Sequence, residues 1–345
     1  MKKRKKTIYA SLIILVLLAG GALLFQDNLK VLAFDLFLSD RVEQTLESQS
    51  YVPLEGKSNE TKVKPEPIVS KSDPFSMLLL GSDQRANEPA RSDTLMYAVM
   101  RPEDRKLLLI SIPRDTYTEI IGYKNNPKDK INHAFAFGGQ QMTMDTVENL
   151  LGHEVEYYAT INFNGLKDAV DAIDGVPLPI KKDIVNKGRD HEKFTIVGGK
   201  DSYSGEEALN YVRYREDSDY NRTKRQQVFI DVVAKKMLSL SQINKIPDLL
   251  DIMGENFKTD MQPTMIIDLA KKLMIGKDMD ISSFTIMGEG TRINGVYYDI
   301  PNEEDLKEAS KLIDNWLNAS TPVQQLIEPG KAANALEPKT SPQAQ

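Results

Sequence analysis

The strongest constraint on the fold is a set of short apolar runs that stop abruptly. Residues 75–80 form one, ended by Gly81; residues 94–100 and 107–112 form two more, separated by the charged turn Arg101-Pro102-Glu103-Asp104-Arg105. Apolar runs of this length, bounded by turn signals, are those of buried strands. Residues 155–161 read as another strand. Elsewhere the period lengthens. Helices are expected over 140–151, 166–173, 222–238, 262–274 and 303–317, with further strands near 282–287 and 294–299. Ser204-Gly205-Glu206-Glu207 fits a capping box that opens a helix running to about Val212. Strands mixed with helices along one continuous stretch imply a layered α/β fold with a central sheet.

Charged motifs sit where these runs end. Gly81-Ser82-Asp83-Gln84-Arg85 follows the first, Arg91-Ser92-Asp93-Thr94 opens the second, and Ser111-Ile112-Pro113-Arg114-Asp115 closes the third. Arg213-Tyr214-Arg215 follows the capped helix, and Arg222, Arg225 and Gln226 stand at i, i+3 and i+4 on the next one. A guanidinium fork can donate two parallel hydrogen bonds to phosphate oxygens. Carboxylates beside it suit an anion only if a hard cation such as Mg2+ lies between. Two Asp–Arg pairs bracketing one loop, Asp83 with Arg85 and Arg91 with Asp93, therefore read as a rim for Mg2+ and a pyrophosphate. Each motif alone has a plainer reading: a polar loop with a local ion pair, or a turn set by Pro113. Helix starts carry the positive end of the dipole, so the basic residues around Arg222 call for balancing acids or an anionic ligand. Asp217 and Asp219 could supply those acids as a surface network. Lys130-Ile131-Asn132-His133 and Gly138-Gly139 could line the same mouth, with His133 read as a structural hydrogen-bonder.

The N-terminus sets the topology. Lys2-Lys3-Arg4-Lys5-Lys6 precedes an uncharged, largely apolar run over 8–25. Eighteen helical residues span about 27 Å, close to the hydrocarbon thickness. The basic cluster keeps residues 1–7 cytoplasmic and places everything after the anchor outside the cell. A cleaved signal peptide is the alternative, because Ala19-Gly20-Gly21-Ala22 offers small residues. Residues 26–74 read as a juxtamembrane helix, lying near the lipid surface or packing on the domain, followed by a proline-containing stalk over 51–74, and 75–319 as the folded unit. Residues 320–345, rich in Pro, Ala, Gln and Thr, read as a disordered tail.

Composition removes several classes of chemistry. The chain of 345 residues has no cysteine, which excludes disulfides, thiol nucleophiles, zinc ribbons and a lipoprotein anchor. Three scattered histidines make no convincing zinc site. A formal net charge of −6 argues against a nucleic-acid partner. No Walker loop, G-x-S-x-G elbow or H-E-x-x-H motif is present.

Six motifs in order, G-S-D-Q-R, R-S-D-T, S-I-P-R-D, K-I-N-H-A-F-A-F-G-G, G-E-E-A-L-N-Y-V-R-Y-R and R-Q-Q, resemble the LytR-CpsA-Psr family over roughly residues 75–240. The resemblance implies a three-layer α/β/α sandwich with a central mixed sheet and a deep apolar pocket for a polyprenyl chain. It implies a membrane-anchored phosphotransferase of the Gram-positive cell wall, acting outside the cytoplasmic membrane. Its donor would be wall teichoic acid or a similar anionic glycopolymer on polyprenyl pyrophosphate, and its acceptor the C6 hydroxyl of N-acetylmuramic acid in peptidoglycan. By motif, Asp83 and Asp93 would bind Mg2+, and Asp93 is also the favoured general base. Arg85, Arg91, Arg114, Arg213 and Arg215 would hold the pyrophosphate, with Arg222, Arg225 and Gln226 completing the cradle; Arg114 and Asp93 are the residues placed at the chemistry. Two other functions use the same charges: an extracellular regulator that binds the polymer or lipid pyrophosphate without turnover, and a lipid pyrophosphatase.

Overall fold

The computed structural model describes residues 26–54, 72–83, 91–124, 127–188, 192–237, 245–276 and 279–330. The expected anchor and the basic residues before it, most of the stalk, Arg85 and residues 331–345 lie outside the described residues. No helix among the described residues is long and apolar enough to cross a membrane.

The described chain opens with α1 (Gln26–Phe37), α2 (Ser39–Thr45) and a π-helical turn (Leu46–Ser50). Then come β1 (Phe75–Asp83), β2 (Arg91–Arg101), β3 (Lys106–Ile112), β4 (Tyr117–Glu119), β5 (Lys128–Lys130), α3 (His133–Leu151), β6 (Tyr157–Asn162) and α4 (Phe163–Ala172). The middle holds β7 (Ile184–Asn186), β8 (Phe194–Ile196), α5 (Gly205–Arg213), α6 (Asp219–Met237) and α7 (Ile246–Met253). It ends with β9 (Phe257–Thr259), α8 (Pro263–Met274), β10 (Asp280–Thr285), β11 (Gly288–Ile293), β12 (Val296–Pro301) and α9 (Glu303–Leu317).

Six strands form one mixed sheet in the order β10-β3-β2-β1-β6-β9. β1 runs parallel to β6 and β10 parallel to β3, while β2 is antiparallel to both β1 and β3. Consequently β1, β3, β6 and β10 all end at one edge of the sheet, and β2 begins there. That edge collects the charged motifs. In α/β sheets it is also where ligands bind.

Alternation along the strands sends apolar side chains to both faces. Leu78, Leu80, Leu95, Tyr97, Leu108 and Ile110 pack against Met144 and Val147 of α3 and against Leu312, Ile313 and Trp316 of α9. Phe75, Ala98, Met100 and Leu109 face the other way, toward Leu273 of α8 and the half-buried Ile230 and Ala234 of α6. Burying each large apolar side chain contributes about 1.5–3 kcal/mol, so two covered faces explain why a sheet this apolar is stable. The capping box at α5 forms as expected: the Ser204 hydroxyl accepts from the Glu207 amide while the Glu207 carboxylate accepts from the Ser204 amide.

Three boundaries differ from the sequence reading. α3 starts at His133 rather than at 140, but Gly138 and Gly139 break it with non-helical backbone (φ +64° at Gly139). The periodic stretch after the break is the helix expected from sequence. Second, the folded unit reaches back before residue 75: the juxtamembrane segment packs on the domain, one of the two positions the sequence allows it. Phe34, Val42 and Leu46 are buried against Ile267 and Met274 of α8, and Tyr158 donates its hydroxyl to the Val52 carbonyl at 2.8 Å. Third, the chain stays ordered past residue 320. The Trp316 indole donates to the Ile327 carbonyl (2.9 Å), and Leu326 closes over the α9 side of the core. Arg101, only 4% exposed, donates to the carbonyls of Trp316, Asn318 and Thr321. A cation on the C-terminal carbonyls of α9 complements its dipole, and this one also ties down the residues that follow. None of these long-range partners is visible in the local composition of 320–330.

Candidate active site

Asp93 owes its position to a fault in the ladder. Gly81 pairs with Thr94 but Ser82 pairs with Ser92, so Asp93 is the extra residue of a β-bulge. Bulges re-aim the side chains they carry. The strands come together closely at this point: a Cβ on residue 81 would lie 3.0 Å from the Thr94 Cβ, which glycine avoids.

Pro113 ends β3, and Arg114 turns back over the sheet edge. Its Nη1 donates to Asp93 Oδ1 (2.5 Å), and its Nε lies 3.5 Å from Asp115 Oδ2. Asp115 also accepts from Lys130 Nζ at 2.7 Å. Burial pushes the Asp115 carboxyl up, but the Lys130 hydrogen bond and the charges of Arg114, Lys130 and Arg222 outweigh it and hold the group below the usual carboxylate range. Arg213 reaches the same edge from the end of α5, its guanidinium lying 4.7 Å over the Phe163 ring. Arg222, 6% exposed, comes from the second turn of α6 with Gln226 one turn on. Gln227 fixes α6 against the strands: its Nε2 donates to Ser111 Oγ (2.8 Å), Thr285 Oγ1 (3.1 Å) and the Phe284 carbonyl (3.2 Å).

Asp93, Arg114, Arg213, Arg222 and Gln226 line one cavity, closed on another side by Ile161, Phe163, Leu166 and Val212. Three guanidinium groups against one carboxylate give it a positive balance. The N-terminus of α4 opens at the same place, capped by Asn162, whose Oδ1 accepts from the Gly165 amide at 2.9 Å. Its dipole adds to the preference for an anion. The chemistry on offer is binding a phosphate group beside an apolar wall.

The other candidates are placed differently. Asp83 and Arg91 face each other across the β1–β2 ladder, with Arg91 exposed. Arg215 is half-buried in the link between α5 and α6. Neither Arg91 nor Arg215 nor Asp83 lines this cavity. Arg225 is a correction. Its guanidinium forks onto both Asp217 oxygens (2.8 and 2.9 Å), donates to the Tyr214 carbonyl and lies 4.9 Å over the Tyr214 ring. It braces the α5–α6 link, which is the ion-pair alternative the sequence left open for this stretch. His133 has a structural partner, Asp129 Oδ2 at 2.9 Å from Nδ1.

The Asp217–Arg225 pair predicts an acid-dependent stability. Burial raises the Asp217 pKa, but the Arg225 hydrogen bonds and charge, with the Ser218 amide, outweigh it and leave the carboxyl depressed. A carboxyl depressed in the folded state contributes stability fully above its unfolded value, about 4, and loses it as pH falls through the native value. Asp217→Asn should therefore melt below wild type at neutral pH, with the gap narrowing as the pH drops under about 4. Melting curves across pH 2–8 check this.

No group of three or more histidine and acidic side chains among the described residues is arranged to hold a metal. Mg2+ commonly takes only one or two carboxylates and completes its shell with substrate phosphate oxygens and water. Asp93 offers one carboxylate of that kind at the arginine-lined cavity, its Oδ1 accepting from Arg114.

A second cavity, of about 160 Å³, lies beside the first. Arg114 and Arg222 belong to both. Its remaining lining includes Asp115, Tyr220, Thr223, Tyr297 and Asp299. The sequence motifs drew no attention to Tyr220, Tyr297 or Asp299; the last two arrive from the β11–β12 hairpin, remote in the chain. Phe163 and Asn162 were likewise missed, although a strand end running directly into a helix start is a local signal that could have found them.

The LytR_cpsA_psr family matches residues 41–314. The chain belongs to that family. A polyisoprenyl-teichoic acid–peptidoglycan teichoic acid transferase, TagU of Halalkalibacterium halodurans, is 35% identical over 308 residues, covering 88% of this chain and 99% of the relative. Among solved structures, the crystal structure of B. subtilis TagV aligns with a TM-score of 0.63 and 30% identity over 72% of this chain and 99% of that one. TagT bound to LIIa-WTA aligns with a TM-score of 0.59 and 30% identity, over 77% and 99%. The LytR_cpsA_psr match begins at residue 41, inside α2, in keeping with the packing of residues 26–54 on the domain. With a named transferase matched over nearly its whole length, membership makes this chain a transferase.

Proposed function

We propose that the protein transfers an anionic wall glycopolymer, wall teichoic acid or a close analogue, from polyprenyl pyrophosphate to the C6 hydroxyl of N-acetylmuramic acid in peptidoglycan. The observation that carries this reading is the cavity in which Arg114, Arg213 and Arg222 meet an apolar side made of Ile161, Phe163, Leu166 and Val212. A lipid pyrophosphate needs both. The polyprenyl chain would lie against that apolar side.

In the reaction, the acceptor oxygen bonds to the phosphorus that carries the polymer. The bond from that phosphorus to the bridging oxygen breaks, and polyprenyl phosphate leaves with the bridging oxygen. The hydroxyl proton passes to the Asp93 carboxylate. Arg114, Arg213 and Arg222 neutralise charge on the transferred group and on the leaving phosphate, the main demand of phosphoryl transfer. Asp93 and, by its motif, Asp83 would hold Mg2+ together with substrate oxygens, and the ion would neutralise further charge on the pyrophosphate.

The donor is membrane-bound, so the protein belongs at the outer face of the cytoplasmic membrane, anchored by residues 8–25. α1 supports this placement. It directly follows that segment and leaves Leu32, Leu36 and Phe37 53%, 67% and 78% exposed, an apolar surface suited to the lipid interface. Tandem mass spectrometry of the product tests the acceptor position. A phosphodiester on C6 of N-acetylmuramic acid is expected, and phosphate on any other hydroxyl contradicts it.

A further inference from the structure

The two cavities share Arg114 and Arg222 yet differ in charge. The first adds Arg213 and only Asp93 to that pair, so it suits an anion. The second adds Asp115 and Asp299, which balance the two arginines. A balanced site that also presents Tyr220, Thr223 and Tyr297 has the donors, acceptors and aromatic surfaces that recognise a neutral polyhydroxy group.

Their placement along the sheet matters as much. The first cavity lies over the ends of β1 and β6 and the start of β2; the second lies beyond the ends of β3 and β10. Arg114 and Arg222 stand between. Phosphoryl transfer proceeds with the attacking and leaving oxygens roughly in line on opposite sides of the phosphorus. With the leaving lipid phosphate in the first cavity, the incoming hydroxyl approaches from the side of the second, toward the boundary where Arg114, which lines both cavities, holds Asp93.

We propose that the second cavity binds the peptidoglycan sugar that carries the accepting hydroxyl, with Asp299 and Tyr297 as its specificity-determining residues. This rests on the transferase reading given above. The pair is built to hold a fixed geometry. Tyr297 donates its hydroxyl to Asp299 Oδ1 at 2.5 Å, and the Asp299 amide donates to the Asp115 carbonyl at 2.9 Å. That backbone bond locks the β11–β12 hairpin to the residue next to Arg114. The neighbouring Tyr298 ring packs edge-on to Tyr117 with centroids 4.9 Å apart, which fixes the hairpin from its other face. The site is also open at its rim, where Met287 and Tyr297 are 43% and 39% exposed. An acceptor that is one sugar within a long glycan strand requires such an opening.

The test uses the full chain in detergent with a short-chain polyprenyl pyrophosphate saccharide as donor and a peptidoglycan glycan tetrasaccharide as acceptor. Asp299→Asn and Tyr297→Phe are each expected to raise the acceptor KM by about tenfold, the effect of one hydrogen bond of this kind, with donor Kd unchanged within about twofold. Arg213→Ala should do the reverse. Saturation-transfer NMR of the tetrasaccharide, without donor, should give a signal in wild type that weakens in both variants. An unchanged acceptor KM, or a donor Kd that moves as much as the acceptor KM, overturns the assignment. Should wild type form no adduct at all, the transferase reading fails on its own. In that event glycan binding that weakens in both variants still upholds the cavity as a sugar site, and binding indifferent to them refutes it.

Discussion

Arg114→Ala is expected to lower single-turnover transfer by about 10³-fold, the scale seen when a phosphoryl-transfer arginine is removed. The size follows from its position. Arg114 contacts Asp93 and Asp115 and lines both cavities, so its loss removes a positive charge from the reacting phosphate and leaves two acids facing it. Arg114→Lys should recover little, because an ammonium restores the charge without the planar fork that spans two partners. Rapid-quench assays with saturating donor measure the step itself. A loss of less than about tenfold in the alanine variant would remove Arg114 from the chemistry.

Asp93→Asn is the second large effect, and it separates catalysis from binding. The amide oxygen can still accept from Arg114, so the local geometry survives. It can neither take a proton nor carry the charge that a cation needs. Transfer should fall by about 10²–10⁴-fold, the usual worth of a general base, while donor Kd stays within a few-fold. The same assay paired with equilibrium binding of the donor checks both parts. A protein that only grips the polymer would be less sensitive to Asp93→Asn than to Arg114→Ala. Full turnover in the asparagine variant would leave Asp93 neither base nor ligand.

Much of this architecture was legible in the chain because the signals are local. The run over 107–112 followed by Pro113 marked a buried strand ending at a turn, and β3 ends at Ile112 with Arg114 just beyond. Ser204 and Glu207 announced the start of α5 by the chemistry of the cap itself. The convergence of Asp93, Arg114, Arg213, Arg222 and Gln226 was also foreshadowed, since strand ends in such sheets meet at one edge.

Other features depend on pairings that no local pattern encodes. The bulge at Asp93 is a property of how β1 and β2 align, not of either strand alone. Arg225 and Arg222 look equivalent as members of one helix, yet Asp217 draws the first to the α5–α6 link and leaves the second in the cavity wall. Asp299 and Tyr297 reach the site only because β12 pairs at Thr116, far back in the chain. The segment after 320 is polar overall, but Leu326 joins the buried cluster around Trp316, and the Ile327 carbonyl accepts from the Trp316 indole. In each case tertiary partners, rather than composition, decide the outcome.

The most direct measurement follows one donor through the reaction. Wild-type protein is mixed with a polyprenyl pyrophosphate-linked saccharide, Mg2+ and purified peptidoglycan oligomers, and mass spectrometry counts three species: intact donor, released polyprenyl phosphate and saccharide joined to glycan through phosphate. The account predicts released lipid phosphate and glycan adduct in equal amounts, both lost in Arg114→Ala. Lipid phosphate without adduct would make the protein a pyrophosphatase, and bound donor that is never consumed would make it a sensor; either result contradicts the transfer assigned to this cavity.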